Sequence, residues 1–386
     1  MFTITTIIHK SFDAFKKRIP TRVLNFIVRW TSPVKRQLSS SNQYFEGLYG
    51  DKVPDKSTYK SNYLFTIGIL KDRGGYYTYN VIACQEMGVQ FVVFDLERNT
   101  WYEKLFSTPC DAYLVWPSTN LSIWKNLYDE RLLLLANITG KPIVPSLSEI
   151  WLWESKRRMR DWLVANKLPH PNTQIFYDQD QAILFAKDCP LPIVLKMNSG
   201  AASDGVFILS SRKKLYKMIK KAFGFGIASK RGDPRDRSWG YIILQEYISH
   251  DFEWRIVRIG ENYLCRCKKR VGDFASGSGD VVWGVPQNDL LNFVKSLTDK
   301  GGFKNMSIDV FIVERIPYSS QFLVNELQCL VGAKELSQHS GRWRFIGEQW
   351  VFETGDFYRN ASANLRLACL IESLGDDLFD YSFFTQ

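Results

Sequence analysis

A hairpin late in the chain carries the densest grouping of possible metal ligands. SIDVFIVE and QFLVNELQ read as two strands, with Asp309 in the first and Glu326 and Gln328 in the second. Residues two apart on a strand share a face, so Glu326 and Gln328 point the same way. Two carboxylates and an amide oxygen on adjacent strands offer hard oxygen ligands to magnesium, an ion that commonly bridges nucleotide phosphates. A lone glutamate in a strand is more often a solvated surface residue. Here Leu323, Val324, Leu327 and Leu330 surround Glu326, and a carboxylate among them needs a partner.

Two lysines suggest where phosphates would sit. Lys196 ends the apolar run PIVLK and is followed by MNSGAASDGV, where Ser199, Gly200 and Gly205 leave room for backbone N–H groups to approach an anion. Lys156 precedes a helical stretch and joins it as a second point charge. The loop matches neither the Walker nor the dinucleotide-binding pattern. In LQEYISHDFEWRIV, Gln245, Glu246, Tyr247 and Ile248 end a hydrophobic strand whose backbone groups could read an adenine edge. Glu253 is an acid that could accept from a ribose hydroxyl; taken alone, all five are ordinary strand-end residues. His170, His250 and His339 read as surface or loop histidines, and none is assigned as a general base. Cys265 and Cys267, at strand spacing, read as packed thiols rather than zinc ligands.

The elements that must position these groups begin at Tyr63. YLFTIGIL, a turn at Arg73-Gly74-Gly75, a helix to Met87, FVVFDL, AYLVW, a helix over Ser122–Thr139 and a short strand at 142–145 follow a βαβ rhythm. SLSEIWLWESKRRMRDWLVANKLPHPNT reads as one helix and a proline-bounded loop, followed by a helix at Gln179–Asp188 and strands at 192–197 and 206–210. Residues 221–240, basic and glycine-rich, are expected to form a mobile loop. Strands dominate thereafter. The aromatic-rich RWRFIGEQWVFETGDFYRN either walls an acceptor pocket or packs on the last helix.

In bulk the chain is globular, with 386 residues, 45% hydrophobic and 23% charged. No apolar run approaches the roughly 20 residues of a membrane span. Seven scattered cysteines argue against a disulfide framework and for a reducing cytoplasm. The first residues lack the order of a secretory signal. Residues 1–60 hold eleven Lys or Arg against four acids, a net +7 of the chain's +10. A basic arm on a nearly neutral body points to an anionic partner rather than to a body that tracks nucleic acid. Within it, residues 10–36 interleave apolar and basic side chains, as an interfacial amphipathic segment does and as short helices packed on the protein's own surface do.

The order of these motifs over residues 63 to 375 resembles the ATP-grasp superfamily, in its glutathione synthetase and ribosomal-protein glutamate ligase branch. The resemblance implies an α/β (α+β) ATP-grasp fold with a Rossmann-like domain before it. Its divisions would be a basic extension (1–60), a pre-ATP-grasp domain (61–150), a small lid subdomain (151–245) and a large subdomain with the metal site and C-terminal tail (246–386). It implies ATP and Mg2+ as cofactors, with Lys156 and Lys196 as the phosphate lysines and Ser199 to Gly205 as the phosphate loop. Gln245, Glu246, Tyr247 and Ile248 would be the adenine hinge and Glu253 the ribose acid. Arg270 would neutralise the transferred phosphate, and Asp309, Glu326 and Gln328 would hold the metal. Where the family closes its metal motif with Glu-x-Asn, this chain has Glu326-Leu327-Gln328, and residues 221–239 look like an insertion. The implied activity is ADP-forming ligation of a carboxylate to an amine through an acyl phosphate. The alternatives are a nucleotide-binding subunit without catalysis and a kinase acting on a hydroxyl. The expected acceptor is an anionic small molecule, peptide or glycan, handled in the cytoplasm or at the inner membrane face, and no nucleic acid is expected.

Overall fold

The computed structural model describes residues 53–119, 121–200, 203–229, 233–270, 272, 281–282, 285–315, 319–330, 341–354 and 361–375. The segment 10–36, the glycine-serine stretch after Arg270 and His339 lie outside the described residues. No helix among the described residues is long and apolar enough to cross a membrane.

The runs TIGIL, QFVVF and AYLV become β1 (Thr66–Leu70), β2 (Gln90–Phe94) and β3 (Ala112–Val115), joined by β4 (Ile143–Val144). They pair in parallel in the order β2-β1-β3-β4. Apolar side chains at successive rather than alternate positions suit a sheet covered on both faces. The connecting helices α1 (Tyr77–Glu86), α2 (Trp101–Ser107) and α3 (Ser122–Thr139) supply the cover, and Ile67, Ile69, Phe91 and Leu114 are buried. Helix α3 stops at Gly140, whose left-handed φ of 63° lets its N–H return to the carbonyl of Ala136.

The single helix expected next is two, α4 (Leu147–Leu152) and α5 (Lys156–Ala165). No proline or glycine marks the break. A tertiary contact makes it: Glu154 takes a φ of 52° and its Oε2 accepts from the N–H of Gly200 at 3.0 Å. Helix α5, counted with the small subdomain on sequence, packs Met159 and Leu163 into the core of the larger sheet. Helix α4 opens with a capping box between Ser146 and Glu149.

The small sheet comprises β5 (Thr173–Phe176), β6 (Ile193–Lys196), β7 (Val206–Leu209) and β10 (Ile242–Glu246), antiparallel in the order β5-β10-β6-β7. Helices α6 (Gln179–Asp188) and α7 (Arg212–Phe223), capped by the Asp178 and Ser211 side chains, bury Ala182, Leu215 and Ile219 against it. The stretch expected to be a mobile loop is instead structured where it is described. It finishes α7, then pairs β8 (Ile227–Ala228) with β9 (Arg237–Ser238). Side chains close this turn: Arg237 donates to the carbonyls of Pro234 and Phe225, and the Trp239 indole to that of Gly224. Asp236 accepts from both the N–H and the hydroxyl of Ser122, which ties the turn to the start of α3.

The large sheet contains β11 (Phe252–Ile259), β12 (Asn262–Lys269), β14 (Asn305–Arg315), β15 (Ser319–Gln328), β16 (Gly341–Ile346) and β17 (Gln349–Thr354). Their order is β15-β14-β11-β12-β16-β17, with β13 (Val281–Val282) also on β12. Helix α8 (Asn288–Gly301) lays Leu290, Leu291, Val294 and Leu297 on one face of this sheet. The aromatic stretch forms the β16–β17 hairpin, and the Trp350 ring meets Tyr263 edge-on at 4.9 Å. The last helix, α9 (Ala361–Leu374), wedges between units. Its Leu367 and Leu370 join the core of the parallel domain while Leu365 and Cys369 meet Val257, Ile259 and Leu264.

Candidate active site

A cleft of about 730 Å³, counting its mouth, opens between the small sheet and the large one. One wall is the face of the small sheet carrying Val194, Val206 and Ile208; Phe311 of β14 faces it from the other side. The rim is the stretch after β10. There Glu246 exchanges backbone hydrogen bonding with Asn172, donating to its carbonyl at 2.8 Å and accepting from its N–H through Oε1 at 2.7 Å. The Gln245 amide turns inward to the Thr173 hydroxyl at 2.8 Å. The hinge is therefore fastened to β5 by side chains, leaving Tyr247 and Ile248 along the opening. His250 follows, its ring centroid 4.3 Å from that of Phe311. Its Nδ1 lies 2.8 Å from the Ile248 carbonyl, an acceptor, so that nitrogen carries the proton.

Charges gather at the inner end. Lys156 heads α5 because the α4–α5 break puts it there, and its Nζ donates to the carbonyl of Gly200 at 3.1 Å and lies 3.3 Å from Glu326 Oε1. Gly200, at φ 135°, is thus held at both its N–H, by Glu154, and its C=O, by Lys156. Burial works against the Lys156 ammonium, yet the Glu326 and Glu154 carboxylates outweigh it and raise its pKa. Lys196 ends β6 and donates to Asn325 Oδ1 at 2.7 Å. Burial dominates there, opposed chiefly by Glu326, and pushes the Lys196 ammonium down to about 8.

Behind the lysines an alternating chain of polar groups crosses the large sheet. Asn325 donates to Glu253 Oε1 at 2.8 Å; Lys268 lies 3.2 Å from Glu253 Oε2 and donates to Asp309 Oδ2 at 2.7 Å. Arg255 grips Asp309 with two bonds of 2.7 and 2.8 Å. Cross-strand register explains the gathering: Glu253 faces Lys268, Arg255 faces Asp309, and Asp309 faces Glu326. Asp309 is 1% exposed; burial raises its pKa, but Arg255 and Lys268 prevail and hold the carboxyl well below the usual carboxylate range.

Lys156, Lys196, Gly200, Gln245, Glu246, Tyr247, Ile248, Glu253 and Glu326, all singled out from sequence, line this one cleft. Ser199 borders a separate hollow on the far side of Gly200. Gly205 backs the loop: a Cβ there would meet Met197 at 2.9 Å. Arg270 sits toward the hinge, donating to the carbonyls of Gly272 and His250, its guanidinium 6.0 Å from the Tyr247 ring, and does not join the inner chain of charges. Gln328 pairs with Ser307, two positions beyond Glu326, and does not line the cleft.

No group of three or more His, Cys, Asp and Glu side chains among the described residues could cage a metal. Asp309 has both oxygens engaged by cations. Glu326 nevertheless suits a magnesium ion that arrives on nucleotide phosphates, since such an ion needs only one or two protein carboxylates. Sequence reasoning missed Asn325, Lys268, Glu154 and Phe311. Asn325 was hidden because strand parity points it away from Glu326. A bulge between the Asp309 and Val310 pairs brings both to the cleft.

No protein-family model and no curated protein matches the sequence. Solved structures do resemble it. An ADP complex of purK, an N5-carboxyaminoimidazole ribonucleotide synthetase, shares 14% identity over 73% of this chain and 74% of its own, at a TM-score of 0.52. The carboxyaminoimidazole ribonucleotide synthase of Aspergillus clavatus, complexed with ATP, shares 13% over 72% of each chain at 0.50. A RimK domain ATP-grasp protein of Sphaerobacter thermophilus shares 13% over 68% of this chain and 90% of its own, at 0.48. At such identities the likeness is one of fold.

Proposed function

We propose that this chain, which has the ATP-grasp fold, binds ATP in the cleft and uses it to join a carboxylate to an amine through an acyl phosphate. The observation that carries this reading is the convergence of Lys156, Lys196 and Glu326 at the inner end of an apolar-walled cleft with a fastened hinge. A purine between Val194, Ile208 and Phe311 would present its edge to the hinge backbone, with the triphosphate running inward to the two ammonium groups. Two synthetases of like fold, crystallised with ADP and with ATP, support nucleotide binding by a chain of this fold.

Magnesium on the nucleotide, with Glu326 as its protein ligand, would add charge neutralisation at the phosphates. Lys156 and Lys196 hold the phosphate oxygens and spread the charge that develops as a substrate carboxylate oxygen attacks the γ-phosphorus and the bond to ADP breaks. An amine then attacks the acyl carbonyl and inorganic phosphate leaves. Arg270, beside the hinge, would hold a substrate anion at the mouth rather than the transferring phosphoryl group. An anionic acceptor, and contact of residues 10–36 with a membrane surface, belong to the same proposal. They rest on the net +7 of residues 1–60, and unchanged sedimentation with anionic vesicles after deletion of residues 1–52 would remove the membrane part.

One observation favours nucleotide binding without turnover: Arg255 and Lys268 already neutralise Asp309. Incubation with Mg-ATP, carboxylate pools and hydroxylamine separates the readings. Carboxylate-dependent ADP release with hydroxamate formation, lost in Lys196→Ala, supports the ligase. ATP binding with no release for any carboxylate supports the second reading, and a phosphorylated hydroxyl product would mean a kinase.

A further inference from the structure

At the far end of the β11–β12 hairpin lies a second hollow, about 1,470 Å³ counting its open space. The seven residues from Glu253 to Gly260 put it roughly 23 Å from the inner end of the cleft, at about 3.3 Å per residue. It is walled by α9, by β16 and by the turns at Gly260–Asn262 and Gly302–Asn305. Arg366, midway along α9, faces it and is 2% exposed. Its Nε and Nη1 have no hydrogen-bond partner among the described residues. A guanidinium remains charged at any physiological pH, and buried N–H groups without acceptors are costly, so an acceptor is called for.

The nearest acid does not hydrogen-bond to Arg366 Nε or Nη1. Glu149, in the same wall, has its two oxygens taken by the backbone N–H groups of Ser146, Lys304 and Asn305 at 2.5–2.7 Å. Asn305 is 6% exposed, and its Oδ1, in the same hollow, also has no partner among the described residues. At the rim Lys304 is paired with Glu261, and Arg342 and Arg344 are paired with Glu353, while Glu372 adds a further acid.

We infer that this hollow is a second ligand site, for a small molecule whose carboxylate or phosphate group meets Arg366 and whose hydroxyl or amine donates to Asn305. It is independent of the nucleotide cleft and of what that cleft does. Arginine is the side chain suited to both oxyanions, so the two sources are separated by the probe.

The test is isothermal titration with inorganic phosphate and, separately, succinate, at constant ionic strength, into the full chain and into Lys196→Ala and Arg366→Gln variants. The expected result is saturable binding of at least one probe, unchanged in Lys196→Ala and weakened about tenfold or more in Arg366→Gln. Absence of saturation for both overturns the inference, as does equal affinity in Arg366→Gln, which would mean that the anion binds away from Arg366. Loss in Lys196→Ala alone would place the anion in the cleft and overturns it too. If Arg366→Gln does not fold, Asn305→Asp keeps the arginine and sets a further carboxylate in the hollow, beside those of Glu149, Glu261 and Glu372. Binding about tenfold weaker is then expected, and unchanged affinity counts against the site.

Discussion

Lys196 and Asp309 are both buried in the same charged layer, yet burial leaves them in opposite situations. The Lys196 ammonium, lowered from 10.5 to about 8, is held in the fold at a cost. The unfolded chain keeps that proton up to about pH 10.5 and the folded chain releases it near 8, so the cost is full below pH 8 and fades as pH rises toward 10.5. Lys196→Met is therefore expected to raise the stability of the nucleotide-free chain at pH 7 by about 1–3 kcal/mol. The gain should shrink above pH 8 in urea unfolding; a loss of stability at pH 7 would contradict the assignment. The same titration makes ATP affinity fall above pH 8, and calorimetry at pH 8 in buffers of different ionisation enthalpy should show proton uptake on binding. Asp309 has the reverse balance, being stabilised by its partners. Arg255→Ala should cost about 3 kcal/mol by leaving a buried carboxylate half-paired, read as a lower unfolding midpoint, and an unchanged midpoint would show that Lys268 suffices. Lys196 was legible in the sequence because a lysine closing an apolar strand is chemically out of place, and Lys156 through its position in the motif order. The roles of Lys268 and Arg255 were not, because a cross-strand partner depends on register rather than on local pattern.

Elements carry a different kind of information. The parallel strands could be read directly, as unbroken apolar runs, and so could the helices that return between them. The α4–α5 break could not, since its cause is the Gly200 N–H reaching Glu154 from a turn far along the chain. Nor could the bulge at Asn325 in β15, which an alternating pattern conceals. Because the register resumes with Asp309 opposite Glu326 and Val310 opposite Val324, deleting Asn325 should close the strand without moving Glu326. Deletion and Asn325→Ala are both expected to weaken ATP binding about tenfold, since each removes the link between Lys196 and Glu253. Far-UV circular dichroism should stay native in both. A deletion variant that unfolds while Asn325→Ala does not would show that the bulge serves the sheet's twist instead.

On the scale of the whole molecule, the cleft exists because two antiparallel sheets and a parallel one are locked by few elements. Helix α5 carries Lys156 while its apolar face packs on the large sheet, and α9 ties that sheet to the parallel domain. The motif order made the fold recognisable from sequence, but the docking of α9 against α1 joins segments at opposite ends of the described chain, which no local pattern encodes. If the cleft holds ATP, the nucleotide should stabilise the folded chain as a whole, by about 2.7 kcal/mol at a hundred times Kd. The most direct test is isothermal titration of Mg-ATP into the wild type and into Lys196→Ala and Glu326→Ala. Saturable binding by the wild type, weakened at least about tenfold in each variant, is the expected result. Absence of binding by a folded wild type, or equal affinity in both variants, would contradict the nucleotide site.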